Sequence, residues 1–376
     1  MVYIEKIKEI IVELVRLEDV CYSGSSNISQ KDVMMLDGNY PIYGASGFIK
    51  NINFYKSEKP YIAIVKDGSG VGRTMILPEK SSVIGTMQYI FPRDNIDIRY
   101  LYYVITSMDL SKYCTGIAIP HIYFKDYKKE KLNLPSISKQ VDIANKLDLV
   151  QKIITLKQQQ ILDLDELIKS QFVEMFGNVN DNKNSYEIKT LNEVFDFIKD
   201  GTHSTPTYTD DKINGIKFLS AKDVTKGTIN WENIKYIPLE LHEQLVKRVK
   251  PQKDDILLAK NGTTGVCAKV DRDEIFDIYV SLALLRPKEG YVVDYLVQAI
   301  NNDMTKEQFD RSLKGVGVPN LHLGEIQKVK IIVPPIELQN QFADIVKQID
   351  KQKFEIQKSL EEIQKLQESL MNKYFG

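Results

Sequence analysis

Two stretches of the chain carry the same pattern of apolar positions. In the first, Ile143, Leu147, Val150, Ile154, Ile161, Leu164 and Ile168 recur in steps of four and three, with Lys157 filling the layer between Ile154 and Ile161. In the second, Phe342, Val346, Ile349, Lys353, Ile356, Leu360, Ile363 and Gln367 repeat that spacing. Such a stripe is the seam of a coiled coil. Pro135 and the Pro334-Pro335 pair stand before the stretches, where proline is tolerated at a helix start, and neither stretch contains proline or glycine until Phe176-Gly177 and Phe375-Gly376. Each predicts a helix of about 35 residues, a rod of roughly 50 Å. A single helix of that length needs a partner, and the obvious partner of each is the other. Lys157 and Lys353 interrupt the two seams in different layers. They read equally as devices that fix register or as solvated stems at a frayed layer.

The rest of the chain has a different rhythm. Residues ~14–134 and ~186–333 alternate short β-like runs, such as Tyr61–Val65 and Ile256–Ala259, with turn signals. Helical spacing there is confined to stretches such as Ile98–Met108 and Val292–Met304. The expectation is an α+β domain in each half, built on a curved, largely antiparallel sheet. Asn178–Ser185, rich in Asn, Asp and Ser, reads as a linker. Apolar residues at Ile4, Ile7, Ile11 and Leu14 give the N-terminus helical spacing, unlike the layout of a signal peptide.

The two patterns are copies of one another. A constant offset of 199 aligns residues 116–177 with 315–376 without a gap, with 14 identities in 62 positions. Gly116, Pro120, Pro135, Ile137, Gln140 and Ala144 fall on Gly315, Pro319, Pro334, Ile336, Gln339 and Ala343. Upstream the correspondence loosens. Leu17–Val20 resembles Leu191–Val194 at an offset of 174, Lys66-Asp67-Gly68 resembles Lys260-Asn261-Gly262 at 194, and Thr86–Pro92 runs beside Ser281–Pro287 at 195. A gapless back half and a length-variable front half mean that one module keeps a fixed geometry while the other diverges. The period is far above that of solenoid repeats, so this is a duplicated domain pair. The segments are a first domain 1–134, a first spacer helix 135–178, a second domain 179–333 and a second spacer helix 334–376.

Charge adds little. The net charge is −1, with 50 basic and 51 acidic side chains, and no segment departs far from neutrality. A nucleic-acid surface must therefore come from segregation of charge in the fold. No apolar run approaches the ~18 residues of a membrane span, and the cytoplasm is the expected location. Cys21, Cys114 and Cys267 form no CxxC pair, which argues against a disulfide framework or thiolate metal site and for mostly buried thiols.

Catalytic templates fail one by one. Gly68-Ser69-Gly70-Val71-Gly72-Arg73-Thr74 lacks the Gly-Lys of a phosphate loop and is followed by a strand, Met75–Leu77, that ends at Pro78. It reads as a tight glycine turn, with backbone N–H groups and Arg73 able to meet a nucleic-acid phosphate. His121, His203, His242 and His322 are scattered, and HExxH and GxSxG are absent. Asp254-Asp255 and the Asp271–Glu274 cluster read as solvated loop residues. The methyltransferase tetrapeptide [DN]-P-P-[FY] and a helicase P-loop are also missing.

Several motifs recur in both halves. Each half opens with Leu-x-[Asp/Glu]-Val (Leu17, Asp19, Val20; Leu191, Glu193, Val194) and closes its first domain on Gly-x-x-x-Pro-x-[Ile/Leu] (Gly116, Pro120, Ile122; Gly315, Pro319, Leu321). Each helix is entered through Pro-x-Ile-x-x-Gln, ending at Gln140 and Gln339. With Asp200–His203 and Phe218–Val224, these residues make nearly the whole chain resemble the specificity subunit of type I restriction–modification systems. The resemblance implies two target-recognition domains, each followed by a long helix, the two helices paired as a coiled coil in a pseudo-twofold arrangement. It further implies a non-catalytic subunit that reads one half of a bipartite, asymmetric double-stranded DNA target with each head. The helices serve as a ruler and dock two modification subunits that methylate adenine. A motor-nuclease restriction subunit can join. S-adenosylmethionine, Mg and ATP are expected on the partners, and no cofactor or metal on this chain.

Candidate DNA contacts are polar loop residues at matched places: Tyr43, Ser46, Lys66, Ser69, Arg73 and Thr86 in the first head, and Thr202, His203, Lys222, Asn261, Thr263 and Ser281 in the second. For the spacer and its docking, the candidates are Ile143, Leu147, Val150, Ile161, Leu164, Phe342, Val346, Ile349, Ile356, Leu360 and Ile363. The competing reading is a coiled-coil scaffold that binds proteins. It predicts little salt dependence, whereas a DNA reader loses affinity steeply as salt rises.

Overall fold

The structure is a computed structural model that describes residues 13–116, 120–180, 182, 184–225, 227–313 and 319–376. It divides into two compact units, one of residues 1–158 and 358–376, the other of residues 159–357. The division falls inside both long helices, Ile137–Phe176 and Ile336–Phe375. Each has 40 residues, so each rod is ~60 Å long at 1.5 Å per residue, longer than the seam alone suggests. Ile4, Ile7 and Ile11 lie outside the described residues. Leu14 belongs to a strand, Glu13–Arg16, not to a helix. Antiparallel pairing with Lys131–Leu134 overrides its helical spacing and leaves it 60% exposed.

The recurrent opening motif has a local cause. In the first unit the turn Leu17–Val20 follows that strand, and the Asp19 carboxylate accepts the Arg16 N–H at 2.8 Å. In the second, Thr190 gives its N–H and hydroxyl to Glu193 at 2.8 and 2.6 Å, capping the turn Leu191–Val194. An acid three residues into the turn satisfies an N–H that the helix leaves without a partner. The flanking Leu and Val point inward, and all four are fully buried.

Both units then build the same pair of sheets. The first has a four-stranded antiparallel sheet in the order Cys21–Ser25, Met87–Pro92, Tyr61–Val65, Thr74–Leu77. The second has Phe195–Asp200, Leu282–Pro287, Ile256–Ala259, Cys267–Lys269. The central strands read as unbroken apolar runs because both faces are covered. Ile62 and Ile64 join a core with Tyr100, Leu101 and Val104 of the helix Ile98–Ser107, while Tyr61, Ala63 and Val65 face Met87 and Tyr89. In the second unit Ile256 and Leu258 pack with Tyr295, Leu296 and Ile300 of the helix Val293–Asn301, and Leu257 and Ala259 face Leu219 and Val270.

A curved, largely antiparallel sheet was expected in each domain. A separate three-stranded sheet also stands in each unit, with a parallel pair inside it. Tyr40–Gly44 lies between Gly47–Ile52 (antiparallel) and Ser82–Val83 (parallel), and Ile216–Leu219 lies between Lys235–Ile237 (antiparallel) and Phe276–Ile278 (parallel). The second helical stretch also breaks at Asn302, whose side chain accepts the Met304 N–H and starts a new helix, Asp303–Arg311.

The long helices belong to the cores of both units. In the first, Ile143 and Leu147 are buried in the core beneath the helix Ile98–Ser107, which Leu370, Met371, Tyr374 and Phe375 complete. Gln367 donates to Gln151 at 2.8 Å, so the helix segments in this unit run antiparallel. In the second unit Phe172 and Phe176 meet Phe342 edge-on with ring centres 5.5 Å apart, and Lys353 reaches Asp165 at 2.5 Å. The segments run antiparallel there too. Of the two seam lysines, Lys353 is thus paired across to the neighbouring helix.

The entry glutamines are locks. Gln140, fully buried, accepts the Asp97 N–H at 2.8 Å and donates to the carbonyls of Pro135 (2.8 Å) and Asn95 (3.3 Å). Gln339 accepts the Val292 N–H at 3.1 Å and donates to the Pro334 carbonyl at 2.9 Å. Each ties its helix to the start of the helix that covers its own sheet.

Candidate nucleic-acid interface

The sequence candidates of the first head converge on one end of the four-stranded sheet. The Lys66 N–H donates to the Thr86 carbonyl at 2.9 Å, and the Lys66 carbonyl accepts from Ile122 N–H at 2.9 Å. The glycine loop closes with Gly72 N–H on the Val65 carbonyl (2.9 Å), and Gly68 N–H reaches the Pro120 carbonyl (2.9 Å). Gly68 and Gly72 have φ of +96° and +87°, which explains glycine at both turns. Arg73 donates to the Ala45 carbonyl at 3.0 Å, tying this loop to the hairpin that carries Ser46. Tyr43 accepts the Ile84 N–H through its carbonyl (3.0 Å), which brings in the strand end before Thr86. Ser46, Ser69, Arg73 and Thr86 are exposed, and Tyr43 and Lys66 are half-buried.

In the second head the same frame recurs. Lys260 N–H donates to the Ser281 carbonyl at 2.9 Å, and Leu321 N–H to the Lys260 carbonyl at 2.9 Å. This accounts for the Pro-x-[Ile/Leu] motif: Ile122 and Leu321 are fully buried while their N–H groups pin the loop after the central strand. Gly315 of that motif lies outside the described residues. Ser281 is engaged by its Oγ, which accepts Ala221 N–H at 3.0 Å and so places the exposed Lys222 beside it. Asn261 bridges to Asn320, Thr263 is exposed in the turn that follows, and Thr202 exchanges backbone bonds with Ile278 and Val280.

The frames differ in charge. At the end of the strand Phe195–Asp200, Asp200 is buried and collects three nitrogen groups: Arg248 Nη2 at 2.6 Å, Lys260 Nζ at 3.1 Å and His203 Nε2 at 3.1 Å. Burial by itself pushes the Asp200 carboxyl up, but Lys260, Arg248 and His203 outweigh it and hold the group below its ordinary value. The sequence reading had His203 and the motif around Asp200 but missed Arg248, which lies in the stretch without a counterpart in the first head. The first head's Lys66 has only its neighbour Asp67, at 3.6 Å, among the described ion pairs.

One other acidic residue corrects the sequence reading, whereas Asp254, Asp271 and Asp273 are exposed. Asp255 is buried, not solvated: Arg286 grips it through Nε and Nη2, both at 2.7 Å, and Gln252 N–H adds a third bond. Glu274 pairs with Lys217, and Asp271 accepts the Trp231 indole N–H at 2.9 Å. Of the thiols, Cys21 and Cys267 are buried, and burial pushes Cys21 up to about 12, whereas Cys114 is exposed. Among the described residues, no group of three or more His, Cys, Asp or Glu side chains is placed to hold a metal. Among them, too, no helix is long and apolar enough to cross a membrane.

The candidate spacer residues fall in two groups. Ile143, Leu147, Val150, Phe342, Val346, Ile349 and Leu360 are buried, and Ile161, Leu164, Ile356 and Ile363 are half-buried.

A duplicated frame with divergent exposed loops, each on a long helix, defines a two-headed recognition protein. The family model described as type I restriction modification DNA specificity domain matches residues 11–166 and 183–368. The chain belongs to this family, and its function is that of a specificity subunit, the component that recognises the DNA target. It is 26% identical over 371 residues to the type I restriction enzyme MjaVIII specificity subunit of Methanocaldococcus jannaschii, covering 90% of this chain and 85% of that one. A putative type I specificity subunit of Haemophilus influenzae is 22% identical, over 84% of this chain and 81% of its own. The fold matches the crystal structure of the type I restriction–modification S subunit from M. genitalium, with a TM-score of 0.58 and 17% identity over 98% and 96% of the two chains. A structure described under complex assembly and conformational transition of the type I system gives 0.56 at 16% identity, over 97% of each.

Proposed function

We propose that each head reads one half of a bipartite, asymmetric double-stranded DNA target, and that the two long helices pair as a coiled coil and set the spacing. The domains divide as 1–134, 135–178, 179–333 and 334–376. The observation that carries the reading is the duplicated backbone frame around Lys66 and Lys260, which holds loops of unlike side chains in like positions. In the first head Tyr43, Ser46, Lys66, Ser69, Arg73 and Thr86 face DNA, and in the second Thr202, His203, Lys222, Asn261, Thr263 and Ser281. Base contacts supply sequence and phosphate contacts supply position.

The chain supplies no catalysis. Two modification subunits, carrying S-adenosylmethionine, dock on the spacer and methylate an adenine flipped from the stack. A restriction subunit using Mg and ATP joins them. Leu167 and Leu366, equivalent across the repeat and about half exposed, offer matched outer positions for such docking.

The test is binding of the full chain, assembled with its modification subunits, to duplexes carrying two randomised half-sites with variable spacers. Expected is selection of two separated half-sites at one spacing, with affinity falling steeply as salt rises. Inserting four residues beside Lys157, and none beside Ile356, should shift or abolish the preferred spacing. Selection of the same target and spacer by the insertion variant would refute the ruler. Salt-independent binding without sequence preference would favour the protein scaffold.

A further inference from the structure

The second head contains a charge arrangement that the first lacks. Asp200 and Ser25 end corresponding strands, opposite Ala283 and Gln88, so a carboxylate in one head stands where the other has a hydroxyl. The Asp200 side chain is only 5% exposed, and both its oxygens are occupied: Oδ1 by Arg248, and Oδ2 by Lys260 and His203. Lys260 is itself buried, at 7%, so Asp200 and Lys260 cancel beneath the surface. Arg248, by contrast, stays 54% exposed, and only its Nη2 is held. Nη2 carries a second N–H, so one two-donor edge of the fork, Nη2 with Nη1 or Nη2 with Nε, stays complete beside the bond to Asp200.

We propose that Arg248 is a base-reading residue of the second head, taking the acceptor edge of a guanine, and that Asp200 is the positioning residue that fixes its guanidinium. This rests on the DNA-reading assignment above. The argument is one of geometry against charge. A phosphate contact needs only positive charge and tolerates a mobile side chain, so it calls for no buried anchor on the arginine. A guanine contact needs two donors aimed in one plane at O6 and N7, and anchoring one nitrogen of a planar fork restricts how the rest can turn. Arg248 follows the short helix Leu239–Leu245, with its N–H on the Leu245 carbonyl at 3.0 Å. Asp200 precedes Thr202 and His203 by two and three residues. The contact thus joins the stretch peculiar to the second head to the candidate loop.

The experiment uses the full chain with its modification subunits on the randomised duplexes, comparing Arg248→Ala, Arg248→Lys and Asp200→Asn. Expected is loss of preference at one base pair, the same in all three, in the half-site read by the second head. The loss should be roughly ten- to a hundredfold for both arginine variants. Preferences in the other half-site should be unchanged. Because Arg248→Lys keeps the charge at a half-exposed position, it decides the matter even if Asp200→Asn fails to fold once Lys260 loses its buried partner. The proposal is overturned if Arg248→Lys retains the preference or Arg248→Ala leaves selection unaltered. It is equally overturned if Arg248→Ala weakens all duplexes alike with a salt slope reduced by about one, the signature of a phosphate contact. A wild-type assembly that selects no sequence would instead sink the DNA-reading assignment itself.

Discussion

Replacing Gln140 by alanine should loosen the first head from its helix. The side chain is fully buried and makes three hydrogen bonds, to Asp97 N–H, Pro135 carbonyl and Asn95 carbonyl. Truncation leaves those groups without a protein partner in a closed site, and each buried group left unsatisfied costs ~1–3 kcal/mol. The 3.3 Å bond is the weakest, and a carbonyl with a second lone pair suffers less than an N–H. A total of about 2–4 kcal/mol is therefore expected. For a compact unit of this size that corresponds to a melting shift on the order of 5–15 °C. Two units need not melt together, so the readout must be local. Hydrogen exchange, followed by mass spectrometry, should show faster exchange in the peptide holding Asp97 and the helix Ile98–Ser107. The peptide holding Val292 and the helix Val293–Asn301, locked by Gln339, should be unaffected. Unchanged protection at 97–107, or a melting shift below 1 °C, would refute the lock.

Two further perturbations test the same physics elsewhere. Phe176→Ala should cost about 3–5 kcal/mol, because the ring is fully buried among Phe172, Tyr295 and Phe342. Phe375→Ala, its repeat equivalent, is only half-buried and should cost less; equal losses in urea unfolding would contradict this. Asp277→Asn should alter the pH dependence of the second head. Burial pushes this carboxyl above its ordinary 3.8, against the opposing pull of His242 at 2.7 Å. The native state thus holds the proton longer than the unfolded chain, and stability falls as pH rises from 3.8 through the raised value. The asparagine variant lacks that loss, so its stability relative to wild type should improve over the same window. A difference that does not vary with pH would refute it.

How much of this was legible depended on the range of the interaction. The long helices were, because a four-three stripe from Ile143 to Ile168, interrupted only at Lys157 and free of proline and glycine, is a local signal that recurs turn after turn. The central strands were legible for a similar reason: residues such as Ile62 and Ala63 are buried on opposite faces, giving a solid apolar run. The three-stranded sheets were not, since Ser82–Val83 and Phe276–Ile278 are too short to show a period. Leu14 misled because its spacing suits a helix while its partner, Asn133, lies more than a hundred residues away. The charge cluster was half legible. Asp200 and His203 sit in a recognisable motif, but Arg248 meets Asp200 across 48 residues, in the stretch where the two heads no longer align. Asp255 was misjudged for the same reason, its partner Arg286 being 31 residues on.

The backbone bonds that join Lys66 to Thr86 and Ile122, and Lys260 to Ser281 and Leu321, have an evolutionary consequence. None of them uses a side chain from the residue after the central strand or from the one that opens the neighbouring strand. Architecture is written there in the peptide groups, which every residue except proline possesses. In the second head the buried Lys260–Asp200 pair and the bond from Ala221 N–H to Ser281 Oγ add constraints of their own. In the first, the Lys66 and Thr86 side chains are therefore free to drift without dissolving the loop that presents them. A lineage under pressure to change its target can sample new residues there one at a time, each variant still folded. Threonine at 86 and serine at 281 are two outcomes of such sampling within one molecule.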